Sequence, residues 1–397
     1  MKAAHADALV SLAAHPVAWP MIRGLRRLGP TVRVPGLGLV VNDAALVRDV
    51  LVRDAEFTKN GPGSLAAQMT EVLGPHALAN MDGPAHLALR GRIAELFSAA
   101  GARRLLSAFE APLARLQDDL RAGRTIDLAR FMRVLSGRVT FDMLGVTLPA
   151  GDADEACLAL FALGVRIAAS LSLRVPSARA LRAVRADHDR LTAHARTGWD
   201  AAAASDVSLM SNLRQQGLTF EEARGVISLV FLAGTITTAA SLPRIVALLA
   251  DSGQLSGVRD RADGVARAVA EGLRFISPVP VTVRVAARDA ALDGRRIGRG
   301  TRLVLLTCNA ARDAALFPDP DRFDATRAHD PRARHLWFGA GVHFCLGFAV
   351  AQRELQMVLQ ALVAAPGTLV IEGRRRGGRA LIPAYARLDI RLVPEPA

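Results

Sequence analysis

The chain has 397 residues, of which 51% are hydrophobic and 22% are charged. This composition can fill a large core and excludes an intrinsically disordered chain. The three cysteines, Cys157, Cys308 and Cys345, are too few and too scattered for a disulfide framework. We therefore expect a reducing, cytoplasmic location.

The formal net charge is +13, because 50 Lys and Arg residues face 37 Asp and Glu residues. Clustered basic residues interleaved with aromatic ones are typical of nucleic-acid binding. Here the positive charge is scattered arginine, the lysines are Lys2 and Lys59, and the chain has a single tyrosine. We therefore predict no nucleic-acid partner.

The predicted elements begin with an N-terminal arm over 1–25, whose His and Asp residues interrupt any signal-peptide core. Alternation around a Pro-Gly turn predicts a hairpin over Thr31–Val41. Apolar spacing of three and four then predicts six helices, over Pro84–Ala99, Arg103–Ala122, Leu128–Leu144, Ala178–Ala203, Phe220–Leu249 and Gly257–Phe275.

Strand patterns return late in the chain, over Val279–Val285, Arg296–Ile297, Thr301–Thr307 and Ala384–Val393. The most apolar stretch, Ile227–Leu242, is shorter than a membrane helix and rich in hydroxyl residues, so we predict a buried core helix and no membrane span. The fold class is mainly α with a minor antiparallel β part, and no linker divides residues 1–397, which we expect to form a single domain.

The strongest local motif is FGAGVHFCLGFAVAQREL, over Phe338–Leu355. Cys345 follows a glycine-rich turn and precedes a helical run. Glycines let backbone N–H groups point at the sulfur, and the start of the helix adds partial positive charge. This arrangement suits a thiolate that binds a metal through one soft ligand. An ordinary buried cysteine in a turn is the alternative for Cys345 taken alone.

Phe338, Gly341, Cys345 and Gly347 match F-x-x-G-x-x-x-C-x-G, so the chain resembles the cytochrome P450 superfamily. The resemblance spans roughly Thr31–Val393. It implies a triangular, mostly helical fold with heme b (iron protoporphyrin IX) buried between distal and proximal helices. It further implies that Cys345 is the iron ligand and that Phe338, Gly339 and Gly347 contact the heme.

Two further motifs occur in the order the family has them. His86 and Arg90 in HLALR lie four apart on one helix face. By resemblance they bind heme propionates together with Arg284 and His343. The resemblance also implies that Glu271, Arg274 and Arg322 form a structural network. Arg327 is the less favoured choice for the third member of this network.

The third motif is AGTITT, over Ala233–Thr238. By resemblance Ala233 and Gly234 leave room for dioxygen, and Thr237 is the oxygen-activating threonine. The family has Asp or Glu before this threonine, whereas this chain has Ile236, which cannot carry a proton. We expect the usual proton relay to be interrupted and expect aspartate at 236 to improve the coupling of NADPH consumption to product.

The resemblance implies a monooxygenase that inserts one oxygen atom into an apolar small molecule, with a ferredoxin and a ferredoxin reductase as electron donors. Phe231, Val281 and Ile382 are candidate wall residues of the substrate pocket. Terpenoid, steroid, fatty acid and polyketide-like substrates all fit this composition. Two alternatives stay open: a peroxide-driven or otherwise atypical heme-thiolate enzyme, which Ile236 favours, and a non-enzymatic heme-based binder or sensor.

Overall fold

A computed structural model describes residues 2–61, 64–148, 151–170, 177–202, 208–328, 333 and 335–393. Helices dominate these residues, in agreement with the predicted fold class. The helices are α1 Lys2–Ala14, α2 Ala18–Leu25, α3 Ala44–Val52, α4 Leu65–Leu73, α5 Gly83–Ile93, α6 Ala99–Leu105, α7 Glu110–Arg121, α8 Leu128–Leu144, α9 Ala153–Ser170, α10 Ala178–Ala201, α11 Leu209–Gln215, α12 Phe220–Leu229, α13 Ile236–Asp251, α14 Leu255–Arg259, α15 Gly264–Ile276, α16 Thr307–Ala310 and α17 Phe348–Ala364.

The strands form three small sheets in the described part of the chain. They are β1 Thr31–Val34, β2 Gly38–Val41, β3 Phe57–Thr58, β4 Ile126–Asp127, β5 Thr282–Ala286, β6 Ala290–Leu292, β7 Arg295–Ile297, β8 Arg302–Leu305, β9 Thr368–Arg376 and β10 Tyr385–Val393. The sheet orders are β1-β2-β8-β5-β3, β4-β10-β9 and β6-β7. Pairing is antiparallel except for β2 with β8, which is parallel.

Of the predicted helices, α8 and α10 match the structure closely, because their buried residues recur every three to four positions. The predicted helix over Gly257–Phe275 is divided into α14 and α15, and the one over Pro84–Ala99 continues as a 3-10 turn after Ile93. Helix α8 has the predicted bounds, and its N-cap Asp127 accepts from the backbone N–H groups of Ala129 and Arg130. The predicted helix over Arg103–Ala122 is instead split, because a 3-10 turn at Ser107–Phe109 separates α6 from α7.

The predicted helix over Phe220–Leu249 is continuous but irregular, since a wide π-helical turn over Val230–Thr235 joins α12 to α13. Of the described residues, Phe220–Asp251 is the one run long and apolar enough to cross a membrane, and 72% of its most apolar window is buried inside the structure. That burial is typical of a core helix.

The N-terminal segment is helical, which the sequence did not predict. Helix α1 buries Ala3, Asp7, Val10 and Ser11, which recur on one face of the helix, and packs them against α13. The main hydrophobic core contains residues from Ala3 to Leu392.

Candidate active site

A cavity of about 470 Å³ lies inside the helical part of the molecule. Residues of α5, the wide turn over Val230–Thr235, α13, α17 and the loop before α17 contribute to its wall. Cys345 and Thr237 both line it. Most of the wall is apolar, and the polar groups come from a few places. This is the general form of a small-molecule or cofactor site.

The loop before α17 holds Cys345 at the cavity through glycine geometry. Gly339 and Gly341 have φ values of +83° and +66°, which side-chain-bearing residues rarely adopt. A Cβ on Gly341 would also lie 2.5 Å from the carbonyl oxygen of Leu51. The backbone N–H of Cys345 then donates to the carbonyl of Phe338 at 3.0 Å, which closes the loop.

The environment of the sulfur acts in two directions on its protonation. Burial raises the pKa of the Cys345 thiol, whereas the backbone N–H of Gly347 and the cations of Arg90 and Lys59 lower that pKa. Donors aimed at the sulfur stabilise a thiolate once a cation binds it. The loop therefore has the donors expected around a Cys345 thiolate that binds a metal.

Four predicted donors converge on the same cavity: His86, Arg90, Arg284 and His343. His343 Nε2 lies 2.9 Å from Asp82 Oδ1, and Arg90 donates to the carbonyl of Phe344 at 2.7 Å. Arg284 is 3% exposed, and burial lowers the pKa of its guanidinium to about 10. Such desolvated cations gain most from an anionic ligand.

His86 gives the most direct sign of a missing ligand. Its side chain is 1% exposed, and neither ring nitrogen has a hydrogen-bond partner in the described structure. Burial and neighbouring cations lower the pKa of His86 to about 4. A buried imidazole without a partner is costly, so an acceptor that enters the cavity would stabilise it.

Lys59 joins this group, and sequence reasoning missed it. Its side chain lines the cavity, and burial together with the charge of Arg284 lowers its pKa to about 7. Only the scarcity of lysine in the chain set it apart in the sequence. The wall near His86 thus has Lys, Arg and His donors, with the carboxylate of Asp82 beside them.

These observations test whether heme fits the cavity. A heme-thiolate site needs a thiolate to hold the iron, an apolar wall for the porphyrin and cationic donors for two propionates. Cys345, the apolar lining and the donor group around His86 provide these features. The residues present therefore fit the cofactor.

The wide turn and the start of α13 hold the predicted catalytic residues, Ala233, Gly234 and Thr237. Ala233 and Gly234 are exposed to the cavity, and a Cβ on Gly234 would meet no atom within 4 Å. The Thr237 hydroxyl donates to the carbonyl oxygen of Ala233 at 2.5 Å. Thr235 and Thr140 share a hydroxyl contact of 3.1 Å. All three predicted catalytic residues therefore line one open part of the cavity.

Ile236 does not face that space. It is 5% exposed, is absent from the cavity wall and packs in an apolar cluster with Phe231 and Leu160. An aspartate at this position would be buried among apolar side chains. The effect of aspartate at 236 on coupling stays a prediction, and the apolar surroundings of Ile236 argue against a gain.

Glu354 is an acid at the cavity that sequence reasoning missed. It lies on α17, is 7% exposed and hydrogen-bonds to the hydroxyls of Ser136, at 3.3 Å, and Thr238. Burial raises the pKa of Glu354 to about 7. Its position on the helix nine residues after Cys345 is only a weak sequence indication of a buried acid, because glutamates in helices are usually solvated.

The three predicted substrate-wall residues lie in different places. Phe231 is fully buried in the apolar cluster that also contains Ile236, and Val281 packs against the cluster of Val40 and Val304. Neither residue lines the cavity, whereas Ile382 does. Val279, in the segment before β5, and Thr282, the first residue of β5, line the cavity.

The predicted structural network is present with one change. Arg274 and Glu271 are fully buried and joined by two bonds of 2.6 and 2.8 Å. The third arginine is Arg327, whose Nε lies 3.2 Å from Glu271 Oε1, while the side chain of Arg322 is exposed. Arg322 contributes its carbonyl oxygen, which accepts from Arg274 and Arg327. The expected role of the Arg322 side chain is therefore corrected.

A cysteine sulfur at the cavity, a mostly apolar wall and buried cations are the features of the class of heme-thiolate proteins. Comparison with known proteins agrees. The family model described as Cytochrome P450 matches residues 265–365. Cytochrome P450 165C4 of Amycolatopsis orientalis is 30% identical over 363 residues, which cover 85% of this chain and 84% of that protein. The chain therefore belongs to the cytochrome P450 family.

Other similarities are shorter or structural. The biotin biosynthesis cytochrome P450 of Bacillus subtilis is 37% identical over 156 residues, and the match covers 39% of each protein. A cytochrome P450 140 of Mycobacterium bovis is 38% identical over 180 residues, or 40% of its length. These two matches therefore span about two fifths of the relatives' own lengths.

Solved structures share the whole architecture. P450BioI, crystallised with an acyl carrier protein bearing hexadec-9Z-enoic acid, superposes with a TM-score of 0.82 at 24% identity, over 96% of this chain and 100% of that one. CalO2 superposes with a TM-score of 0.80 at 26% identity, over 97% of both chains. The described residues therefore have the fold of these solved structures.

Proposed function

We propose that this protein is a cytoplasmic heme b monooxygenase that inserts one oxygen atom from dioxygen into an apolar small molecule. Electrons would come from a ferredoxin through its reductase, and residues 1–397 would act as one domain. One observation carries the proposal: Cys345 and Thr237, a sulfur ligand and a distal hydroxyl, line the same buried cavity. The bound heme would supply the chemistry that activates oxygen and transfers one atom of it.

The protein residues have separate tasks in this scheme. Cys345 would hold the iron, and the donors around His86 would bind the propionates, which also neutralises the cations buried there. The apolar wall excludes water and orients the substrate. Ala233 and Gly234 leave space on the distal side because neither projects a bulky group into it.

Thr237 is suited to accept a hydrogen bond. Its own proton is engaged by the Ala233 carbonyl, so the lone pairs of the hydroxyl oxygen remain for a donor in the cavity. Thr238 donates in the same way to the carbonyl of Gly234 at 3.0 Å. These two hydroxyls would fix the position of water beside the substrate.

Glu354 would serve as the proton donor of the site, because Ile236 has no proton to give. Its carboxyl group would be partly protonated near neutral pH, because burial raises its pKa to about 7. It bonds to Thr238, which neighbours Thr237, so protonated Glu354 can donate into this group of hydroxyls. A pKa near the working pH is the condition for efficient general acid catalysis.

A peroxide-driven enzyme is the second candidate, and Ile236 is the observation that favours it. The two functions separate in one experiment. Purified protein is supplied with a ligand that shifts the heme absorption band, and product is measured with ferredoxin, reductase and NADPH or with hydrogen peroxide. The proposal expects faster turnover with the ferredoxin system, and turnover with peroxide alone would contradict it.

The substrate class is proposed as apolar. Terpenoid, steroid, fatty acid and polyketide-like molecules match the lining, which includes Met69, Leu73, Leu229, Val279 and Ile382. A screen of these classes, read by the shift of the heme absorption band, tests the proposal. Binding confined to charged polar compounds would contradict it.

A further inference from the structure

Arg244 is a fully buried charge that the proposed chemistry does not use. It lies on α13 directly after Pro243, is 1% exposed and ranks among the largest buried side chains. Its Nε and Nη2 donate to the two carboxylate oxygens of Asp7 on α1, both at 2.8 Å. Ser11, one turn further along α1, accepts from the same guanidinium at 3.1 Å.

The remaining nitrogen of Arg244 reaches a different part of the molecule. Nη1 donates to the carbonyl oxygen of Pro383 at 3.4 Å. Pro383 belongs to the segment 377–384 between β9 and β10, and its neighbours Leu381 and Ile382 line the cavity. One guanidinium therefore joins the N-terminal helix, α13 and the cavity wall.

A second contact links the same two segments. His15, just after α1, lies with Nε2 at 3.2 Å from the carbonyl oxygen of Leu381. The wall segment also has a bond of its own, from the N–H of Gly377 to the carbonyl of Ala384 at 2.8 Å. The two ends of the segment are thus closed on each other, and its middle is held by α13 and the residues that follow α1.

The energetics favour a positional role for this arrangement. Desolvation of two charges offsets most of the Coulombic gain, so a buried ion pair adds little stability over a well-packed apolar pair. Its directional bonds do specify one arrangement of the groups that they join. Here that arrangement includes Leu381 and Ile382.

We propose that Asp7, Arg244 and His15 are positioning residues that fix Leu381 and Ile382 in the cavity wall. The N-terminal helix would thereby tune which ligands the cavity accepts. This inference rests on the proposed function in one respect, namely that the cavity holds heme and substrate.

The test uses two azoles that bind heme iron. Imidazole is too small to depend on the wall segment, whereas clotrimazole fills much of a cavity of this size. The variants are His15→Ala and the double change Asp7→Leu with Arg244→Met, which leaves no unpaired buried charge. We expect the ratio of the clotrimazole Kd to the imidazole Kd to rise about fivefold in the double variant and less in His15→Ala.

The control removes another ion pair between the same helix and the same hairpin. Asp251, the last residue of α13, makes two bonds of 2.7 Å to Arg374 on β9, and neither residue lines the cavity. Asp251→Asn should leave the ratio unchanged. An unchanged ratio in the double variant, an equal weakening of both azoles, or an equal effect of Asp251→Asn would each overturn the inference.

Hydrogen exchange gives a readout that needs neither turnover nor heme. Amides in 378–384 should exchange faster in both variants than in the wild type, and unchanged protection there would overturn the inference. If neither oxidant system gives turnover, the proposed function fails. The ratio of the clotrimazole Kd to the imidazole Kd then still reports on the position of Leu381 and Ile382. A double variant that does not take up heme is judged by His15→Ala and by the exchange rates of its apoprotein.

Discussion

The imidazole rings of His86 and His343 lie 4.2 Å apart between centroids, tilted by 38°. His343 is held by the carboxylate of Asp82, whereas both nitrogens of His86 lack a partner. The pair therefore combines a fixed residue with one that has unused bonding capacity. That asymmetry is explained if an anionic group of the cofactor bonds to His86.

Replacing His86 by phenylalanine keeps the ring packing and removes both polar atoms. We expect the variant to fold and to bind heme, but to release it roughly tenfold faster, because one hydrogen bond to a charged group is lost. Transfer of heme to excess apomyoglobin measures the rate. His5→Phe, a change at an exposed histidine of α1, is the control. Equal release from wild type and His86→Phe would contradict a propionate contact.

The raised pKa of Glu354 predicts that the free energy of unfolding falls as the pH rises from 4.5 to about 7. Because its pKa rises from 4.5 to about 7 on folding, Glu354 adds no pH-dependent loss of stability below pH 4.5, and the loss grows as the pH rises to about 7. Glu354→Gln removes that dependence. Relative to wild type, the variant should gain about 2–3 kcal/mol in free energy of unfolding between pH 4.5 and 7.

Denaturant titrations at several pH values measure this difference, with Glu221→Gln as the control at a solvated glutamate on α12. A difference between wild type and Glu354→Gln that does not change with pH would show that Glu354 is charged in the folded protein. In that case Glu354 could not store a proton at neutral pH.

Arg327 and Arg322 form a matched pair for the buried network. Arg327→Ala leaves Glu271 with one fewer charged partner and should cost about 3–5 kcal/mol, the usual cost of breaking a buried ion pair. Arg322→Ala should change stability by less than ~0.5 kcal/mol, because that side chain is exposed. Thermal unfolding of the two heme-loaded proteins compares them. A larger loss for Arg322→Ala would mean that the order of importance is reversed.

Ile236→Asp tests which acid serves the distal threonine. The carboxylate would be buried in an apolar cluster, so we expect destabilisation of about 2–4 kcal/mol and no gain in coupling. Unfolding and the ratio of product to NADPH consumed are measured together. Ile236→Leu is the control for altered shape. Improved coupling in Ile236→Asp would show that an acid at 236 can reach the distal space.

The parts of the site that the sequence predicted depend on local chemistry. The loop around Cys345 needs glycines for positive φ angles, and the small residues before Thr237 leave the space seen in the structure. Helix α8 was predicted to the residue because its apolar spacing and its Asp127 cap agree. Such features depend on residues that are close together in the sequence.

The sequence-based predictions failed where contacts between distant parts of the chain determine which side chain turns inward. The sequence does not tell which arginine of 322–327 turns inward, and Arg327 is chosen by the position of Glu271, more than fifty residues away. Likewise Lys59 and Glu354 become cavity residues only because distant elements desolvate them. The helix α1 gains its buried face from α13 through Arg244, a contact across 237 positions of sequence.

The most direct test of the central claim is the spectrum of the reduced protein with carbon monoxide, recorded for wild type and for Cys345→Ala after heme loading. Cys308→Ala, at a cysteine buried away from the cavity, is the control. We predict the thiolate-type band for wild type and control, and its loss in Cys345→Ala. A thiolate-type band that persists without the Cys345 sulfur would contradict the assignment of the iron ligand.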